Sequence, residues 1–310
     1  MLKNKKVVLA DLSLLGIALG WGYTFVLTKD LLLEITPLYF IGTRFLLAAL
    51  LIAVFKWKEI KKISKHVWML GLGCGLSLWA AFTLQVYAID LTTPGKAGVL
   101  TGATVVLVPF LYYLLYRVPI KWGPILGIAL TFGGLCLISW GGSFTGINFG
   151  DLLALLGALC FALHIVFVDR VYEKKVAFDQ LSFVMIQLFV VGAISCLLAF
   201  GKEPLPTNLS TYGWFAYSFD LLIGTLLAYI VQITAQQYTH PSHVGLFLAL
   251  ESMFAFAFSW LLWGEPITFP IIAGIIIILL GIFVTEIYDV IRSAREAKEG
   301  TAESSSKTII

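Results

Sequence analysis

Apolar residues fill this chain in runs of about twenty, separated by short polar connectors. Ten runs have the length that an α-helix needs to cross roughly 30 Å of hydrocarbon. They cover residues 9–28, 35–55, 67–88, 95–116, 122–141, 150–171, 179–200, 212–235, 242–263 and 267–289. The connectors carry turn chemistry: "TTPGK", "GSFTGINFGD", "GKEPLPTN", "THPSH" and "WGEPITFP". The pattern predicts an all-α membrane protein of ten transmembrane helices.

Composition agrees. The 310 residues are 59% hydrophobic and 13% charged, with mean hydropathy +0.93, too little polar surface for a soluble domain. The opening "MLKNKK" runs into an apolar stretch broken by Asp11 and Ser13, unlike a cleavable signal. The net charge of +3 says little; its placement says more. With the N-terminus inside, only Lys29, Lys96 and Lys202 of the 21 lysines and arginines fall outside, and Arg44 lies within a span. That bias sets both termini in the cytoplasm. After the tenth run, "EIYDVIRSAREAKEGTAESSSKTII" reads as a helical extension that frays into a tail.

The chain repeats itself. Gln85, Pro94, Gly98, Pro119, Gly127 and Gly134 recur 147 residues later as Gln232, Pro241, Gly245, Pro266, Gly274 and Gly281. Earlier in each half the offset drifts: "LLGIALGWGYTFV" pairs with "LLGALCFALHIVF", setting Tyr23 opposite His164, and Arg44 falls opposite Gln187. The expected division is a cytoplasmic start over 1–8, repeats over 9–141 and 150–289, and a cytoplasmic tail over 290–310. Five helices per half is an odd number, so the halves are inverted in the membrane. That is the pattern of secondary transporters, whose substrate site lies near the midplane between the repeats.

At this point the residues resemble a known family. "GWGYTFVLTK" in the first run, Pro37 and Arg44 in "PLYFIGTRFLLAALL", and "LQVYAIDLTTPGKAGVLTGATVVLVP" are similar to the ten-helix EamA-type members of the drug/metabolite transporter superfamily. So is "QITAQQYTHPSHVGLFLALESMFAFAFSWLLWGE", although Ser252 stands where the family usually has proline after Leu-Glu. The resemblance covers about residues 9–287. It implies alternating access and a site between helices 1, 3, 4 and 6, 8, 9. It also implies export of an amino acid or another small metabolite, or of toxic compounds.

Several polar and aromatic residues within the runs are candidates for chemistry. Glu251 sits near mid-depth of the ninth run, where an ionised carboxylate costs roughly 2.5–3.5 kcal/mol on insertion scales. It is either a cavity-facing group that binds substrate or a proton, or a structural group with a buried partner. His164 is either a second proton relay or a packing histidine. Trp21, Tyr23, Trp79, Thr101 and Tyr229 are candidates for the cavity wall, where rings hold apolar or cationic cargo. Arg44 needs an anion, and Glu251 or Asp220 would serve as a clamp; a substrate carboxylate is the alternative. Asp220 itself reads as marking a wet outer vestibule. Gln85, Gln187, Gln232 and Gln236 read as structural amides between helices. His240 and His243 straddle Pro241 in a turn without a companion carboxylate or cysteine, so no metal is expected. The four cysteines show no ligand spacing. There is no phosphate loop, so ATP is not the expected energy source. The expected partners are a small-molecule substrate and the lipid bilayer, with no nucleic acid and no cofactor, in a monomer or weak dimer. A facilitative exchanger or a drug/cation efflux carrier is the alternative function. An intramembrane enzyme is remote, because the constellation it needs is missing.

Overall fold

Lipid offers no hydrogen bonds, so an apolar run must pair its own backbone groups and becomes a helix. The computed structural model shows this over the residues it describes: 2–119, 122–141, 148–173, 178–206, 208–235, 238, 241–281, 283–284, 287–288 and 291. The helices there are α1 (Leu2–Leu31), α2 (Pro37–Phe55), α3 (Lys65–Leu91), α4 (Pro94–Thr101 continued by Thr104–Tyr116), α5 (Trp122–Gly141) and α6 (Phe149–Glu173). They continue with α7 (Gln180–Lys202), α8 (Thr211–Gln232), α9 (Pro241–Trp263) and α10 (Phe269–Gly281). Seven are long and apolar enough to span a membrane; shorter apolar helices, Ile125–Gly134, Leu250–Trp263 and Phe269–Gly281, occupy the fifth, ninth and tenth runs. One further turn, Trp57–Ile60, lies in the loop after α2.

The starts follow from local chemistry. Ser64, Thr93, Asp179 and Ser210 each accept a hydrogen bond from the amide three residues on, capping α3, α4, α7 and α8. Pro37 and Pro94 occupy first-turn positions, where a missing N–H costs nothing. Gly264, at φ +67°, turns the chain out of α9.

Small residues let the helices approach closely. Gly42 lies on Cys196 and Gly192 on Leu46 where α2 crosses α7. Gly22 of α1 and Gly98 of α4 leave no room for a Cβ against Phe254 and Ala255 of α9. Ser252 sits against Gly102 and donates to the Gly98 carbonyl at 3.1 Å, a bond between helices in place of the family's proline kink. Repeat mates meet reciprocally between α5 and α10. A Cβ on Gly134 would stand 2.5 Å from the Gly274 carbonyl oxygen, and one on Gly281 would stand 2.7 Å from that of Gly127.

The two halves are not separate bundles. α1 packs chiefly on α8 and α9 of the second half, and α6 on α3 and α4 of the first. The first helix of each half is therefore inserted into the other, and the main apolar cluster joins α1, α2, α3, α7 and α8.

Candidate functional site

A buried ion pair ties the halves together near the centre. Arg44 Nη1 of α2 lies 3.2 Å from Asp220 Oδ1 of α8, with side chains 7% and 0% exposed. Such burial corrects the expectation that Asp220 marks a wet vestibule. An unpaired carboxylate would seek water, but here Arg44 supplies the counter-charge and Thr28 of α1 donates to Oδ2 at 3.3 Å. Arg44 Nε donates to Thr225 Oγ1 at 2.7 Å, and the guanidinium lies 5.3 and 5.1 Å from the ring centroids of Phe40 and Phe45.

The pair sits beside a backbone irregularity. Residues Leu222–Leu227 of α8 form a π-helical turn, a feature frequent at functional sites. Side chains hold it in place. Trp21 Nε1 donates to the Gly224 carbonyl at 2.8 Å, and the Thr225 hydroxyl donates back to the Asp220 carbonyl at 3.0 Å. No motif in the sequence announced this turn; the cluster of Asp220, Gly224 and Thr225 within one apolar run was the only trace.

The other candidates lie as follows. Trp21, Tyr23, Trp79, Thr101, His164, Tyr229 and Glu251 are all partly exposed, although each lies within a span. Tyr23 packs its ring on Phe219 of α8 and Phe258 of α9, with centroids 5.3 and 5.1 Å away. Tyr23, Trp79 and Tyr229 border the same apolar cluster. Tyr229 is within electrostatic reach of both Arg44 and Glu251. Glu251 itself, partly exposed, has no ion pair or hydrogen bond among the described residues. Gln85 donates to Thr101 at 3.4 Å, and His164 Nε2 lies 2.6 Å from Gln187 Oε1. Gln232 is half-buried, with no hydrogen bond to Gln85. Gln236 and His240 lie outside the described residues, as does the side chain of His243. No cluster of metal-ligating residues occurs among the described residues.

The loops sort onto two faces. On the face poor in basic residues, Glu203 accepts from the first amides of α2 and from Tyr87, and Glu34 accepts from Ser210 at the start of α8. The Ser210 hydroxyl and amide hold the Glu34 carboxyl below the usual range. Lys96 of α4 pairs with Asp151 of α6, both nearly sealed from solvent. Next to it Glu265, after α9, accepts from Thr93, Ser259 and the Gly95 amide. Burial pushes the Glu265 carboxyl up, against the pull of those donors and of Lys96. Residue counting gave no role to this network, although a lysine on the lysine-poor side was its signal. On the opposite face Lys56 pairs with Asp179 at 3.0 Å, and Tyr112 bonds Asp169.

Comparison with known proteins places this architecture. An uncharacterized transporter of Archaeoglobus fulgidus is 28% identical over 284 residues, covering 91% of this chain and 87% of its own. The uncharacterized transporter YoaV of Bacillus subtilis is 26% identical over 286 residues, 88% of this chain and 94% of its own. The uncharacterized inner membrane transporter YedA of Escherichia coli strain K12 is 25% identical over 218 residues, 70% of each chain. A crystal structure sharing 15% identity superposes with a TM-score of 0.64, covering 89% of this chain and 95% of its own, and shows a common fold. The EamA-like transporter family matches twice, over residues 8–140 and 148–287. With duplicated domains and an all-helical apolar fold, this multi-pass membrane protein belongs to the EamA-like transporter family of the drug/metabolite transporter superfamily.

Proposed function

We propose that this protein is a secondary carrier that exports a small metabolite such as an amino acid, with its site between the two repeats and Glu251 as the group that links cargo to protons. The observation that carries the reading is Glu251. It lies ten residues into α9, about 15 Å along the helix, and is partly exposed yet unpaired among the described residues. A carboxylate at that depth with no structural partner among the described residues is placed to meet a proton or the ammonium group of a cargo in turn. Trp21, Tyr23, Trp79 and Tyr229 supply the rings, and His164 and Thr101 the further polar atoms. The same rings beside a carboxylate also favour a drug or organic cation as cargo.

Alternating access fits the lacing of the loops. On the lysine-poor face Lys96–Asp151 and Thr93–Glu265 join α4 of one repeat to α6 and the end of α9 of the other. Lys56–Asp179 and Tyr112–Asp169 join the repeats on the opposite face, and rocking of the repeats would loosen one set while keeping the other. Both halves of the site come from one polypeptide, so each chain holds a complete site whether it is a monomer or a weak dimer.

The test starts from a thermal-shift screen of metabolites, followed by counterflow in proteoliposomes on any hit. Glu251→Gln is expected to keep the fold and the counterflow of labelled cargo while losing uptake driven by a pH gradient. Unchanged pH-driven uptake in that variant removes Glu251 from the coupling.

A further inference from the structure

His164 and Gln187 form a pair whose geometry fixes more than a contact. His164 Nε2 of α6 lies 2.6 Å from Gln187 Oε1 of α7. Gln187 Nε2 in turn donates to the Phe183 carbonyl at 3.3 Å, one turn back on its own helix. The second bond sets the direction of the amide. Turned over, Oε1 would face the Phe183 carbonyl, acceptor against acceptor. With the NH₂ group committed to Phe183, the atom facing the imidazole is an oxygen, which only accepts. His164 Nε2 must therefore carry hydrogen, in the neutral and the charged ring alike.

Nδ1 is left as the variable atom. Among the described residues it has no hydrogen-bond partner, and no charged side chain is in electrostatic contact with the ring. The helices packed most on α6 are α3 and α4, and α7 supplies Gln187; the titratable groups facing this stretch from them are Cys160 on α6 itself, Cys74 on α3 and Tyr112 on α4, which packs beside Ala162 and Val166. His164 is partly exposed whereas Gln187 is 4% exposed, so the imidazole is the more accessible of the two and the amide stands behind it. The equivalent positions of the first repeat hold Tyr23 and Arg44, and there the cation has its own carboxylate in Asp220. This arrangement belongs to the second repeat alone.

We infer that Gln187 is a positioning residue that locks neutral His164 as the Nε2–H tautomer, so that Nδ1 turns a lone pair toward the cargo space. Nδ1 is then the atom that takes up a proton, or that accepts a hydrogen from the amino or hydroxyl group of a cargo. The cargo role rests on the carrier reading; the tautomer lock does not.

The experiment is ¹⁵N spectroscopy of histidine-labelled protein in nanodiscs above neutral pH, with His164→Gln assigning the signal among the four histidines. The expected spectrum has a pyrrole-type Nε2 and a pyridine-type Nδ1. Gln187→Met keeps the volume and removes the acceptor; it should move a large share of the signal to the other tautomer. A pyridine-type Nε2 in the native protein, or an unchanged spectrum in Gln187→Met, overturns the inference. The spectrum is recorded without cargo or flux, so its failure is distinct from failure of the carrier reading, which counterflow decides. On a confirmed cargo, Gln187→Met should lower counterflow at least several-fold; unchanged flux in Gln187→Met overturns the role of Nδ1 toward cargo.

Discussion

Replacing Asp220 by asparagine removes one charge of the central pair and leaves the other. Arg44 and Asp220 are 3.2 Å apart and sealed from solvent. Coulomb's law gives roughly 5 kcal/mol for unit charges at that distance in an effective dielectric of about 20. Removing one partner of a buried pair costs about 3–5 kcal/mol, because the remaining charge is uncompensated. Here Arg44 keeps the Thr225 hydroxyl and the faces of Phe40 and Phe45. The loss therefore sits at the lower end, about 3 kcal/mol. At roughly 2–4 °C per kcal/mol for larger domains, the unfolding midpoint should fall by about 6–12 °C. Intrinsic tryptophan fluorescence followed on heating in detergent reads this, since the chain carries nine tryptophans. The double variant Arg44→Met with Asp220→Leu removes both charges and should recover most of the loss. A midpoint for Asp220→Asn within about 2 °C of native, or a double variant less stable than the single one, would refute the reasoning.

Other outcomes follow from single contacts. Gly134→Val drives a side chain into the Gly274 carbonyl and Ile278, where backbone cannot yield, and should cost at least about 1–3 kcal/mol in the same assay. Gly73→Ala is the control, since a Cβ there meets nothing within 4 Å, and should change stability by less than about 0.5 kcal/mol. Asp179 caps α7; burial alone would raise its carboxyl, but Ser182 and Lys56 outweigh burial and hold it below its ordinary 3.8. A depressed carboxyl stabilises the fold above its unfolded value and loses that contribution as pH falls through the folded one. Asp179→Ala should therefore cost about 1 kcal/mol at neutral pH and nothing in strong acid; midpoints that differ equally at both pH values would contradict the assignment.

The helices were legible because each apolar run satisfies its own backbone, and lipid leaves it no other choice. Offset matches such as Gly127 with Gly274 and Gly134 with Gly281 showed the duplication, and the structure adds that these glycines are where α5 and α10 cross, because close crossings tolerate only a missing side chain. The polar groups were less legible. Asp220 read both as wet and as one of two carboxylates open to Arg44, and the approach of α2 to α8 chose it over Glu251 and makes it dry. Lys96 was counted as a loop charge, while the fold sets it against Asp151, a partner from the other repeat. Trp21 read as cavity wall, and its indole in fact also holds the π-turn at Gly224.

What the sequence determined alone was therefore everything set within one segment: the number and length of the apolar runs, the bias of lysine and arginine that orients them, the caps, and the duplication. The tertiary structure decided the pairings between segments: the insertion of α1 and α6 into opposite halves, the Arg44–Asp220 and Lys96–Asp151 pairs, and the contact of Gln187 with His164. The physical reason is range. Backbone pairing and burial in lipid act on neighbours along the chain, whereas the charge of a membrane-buried group is balanced by whatever residue the packing of helices brings within about 3 Å, at any distance in sequence.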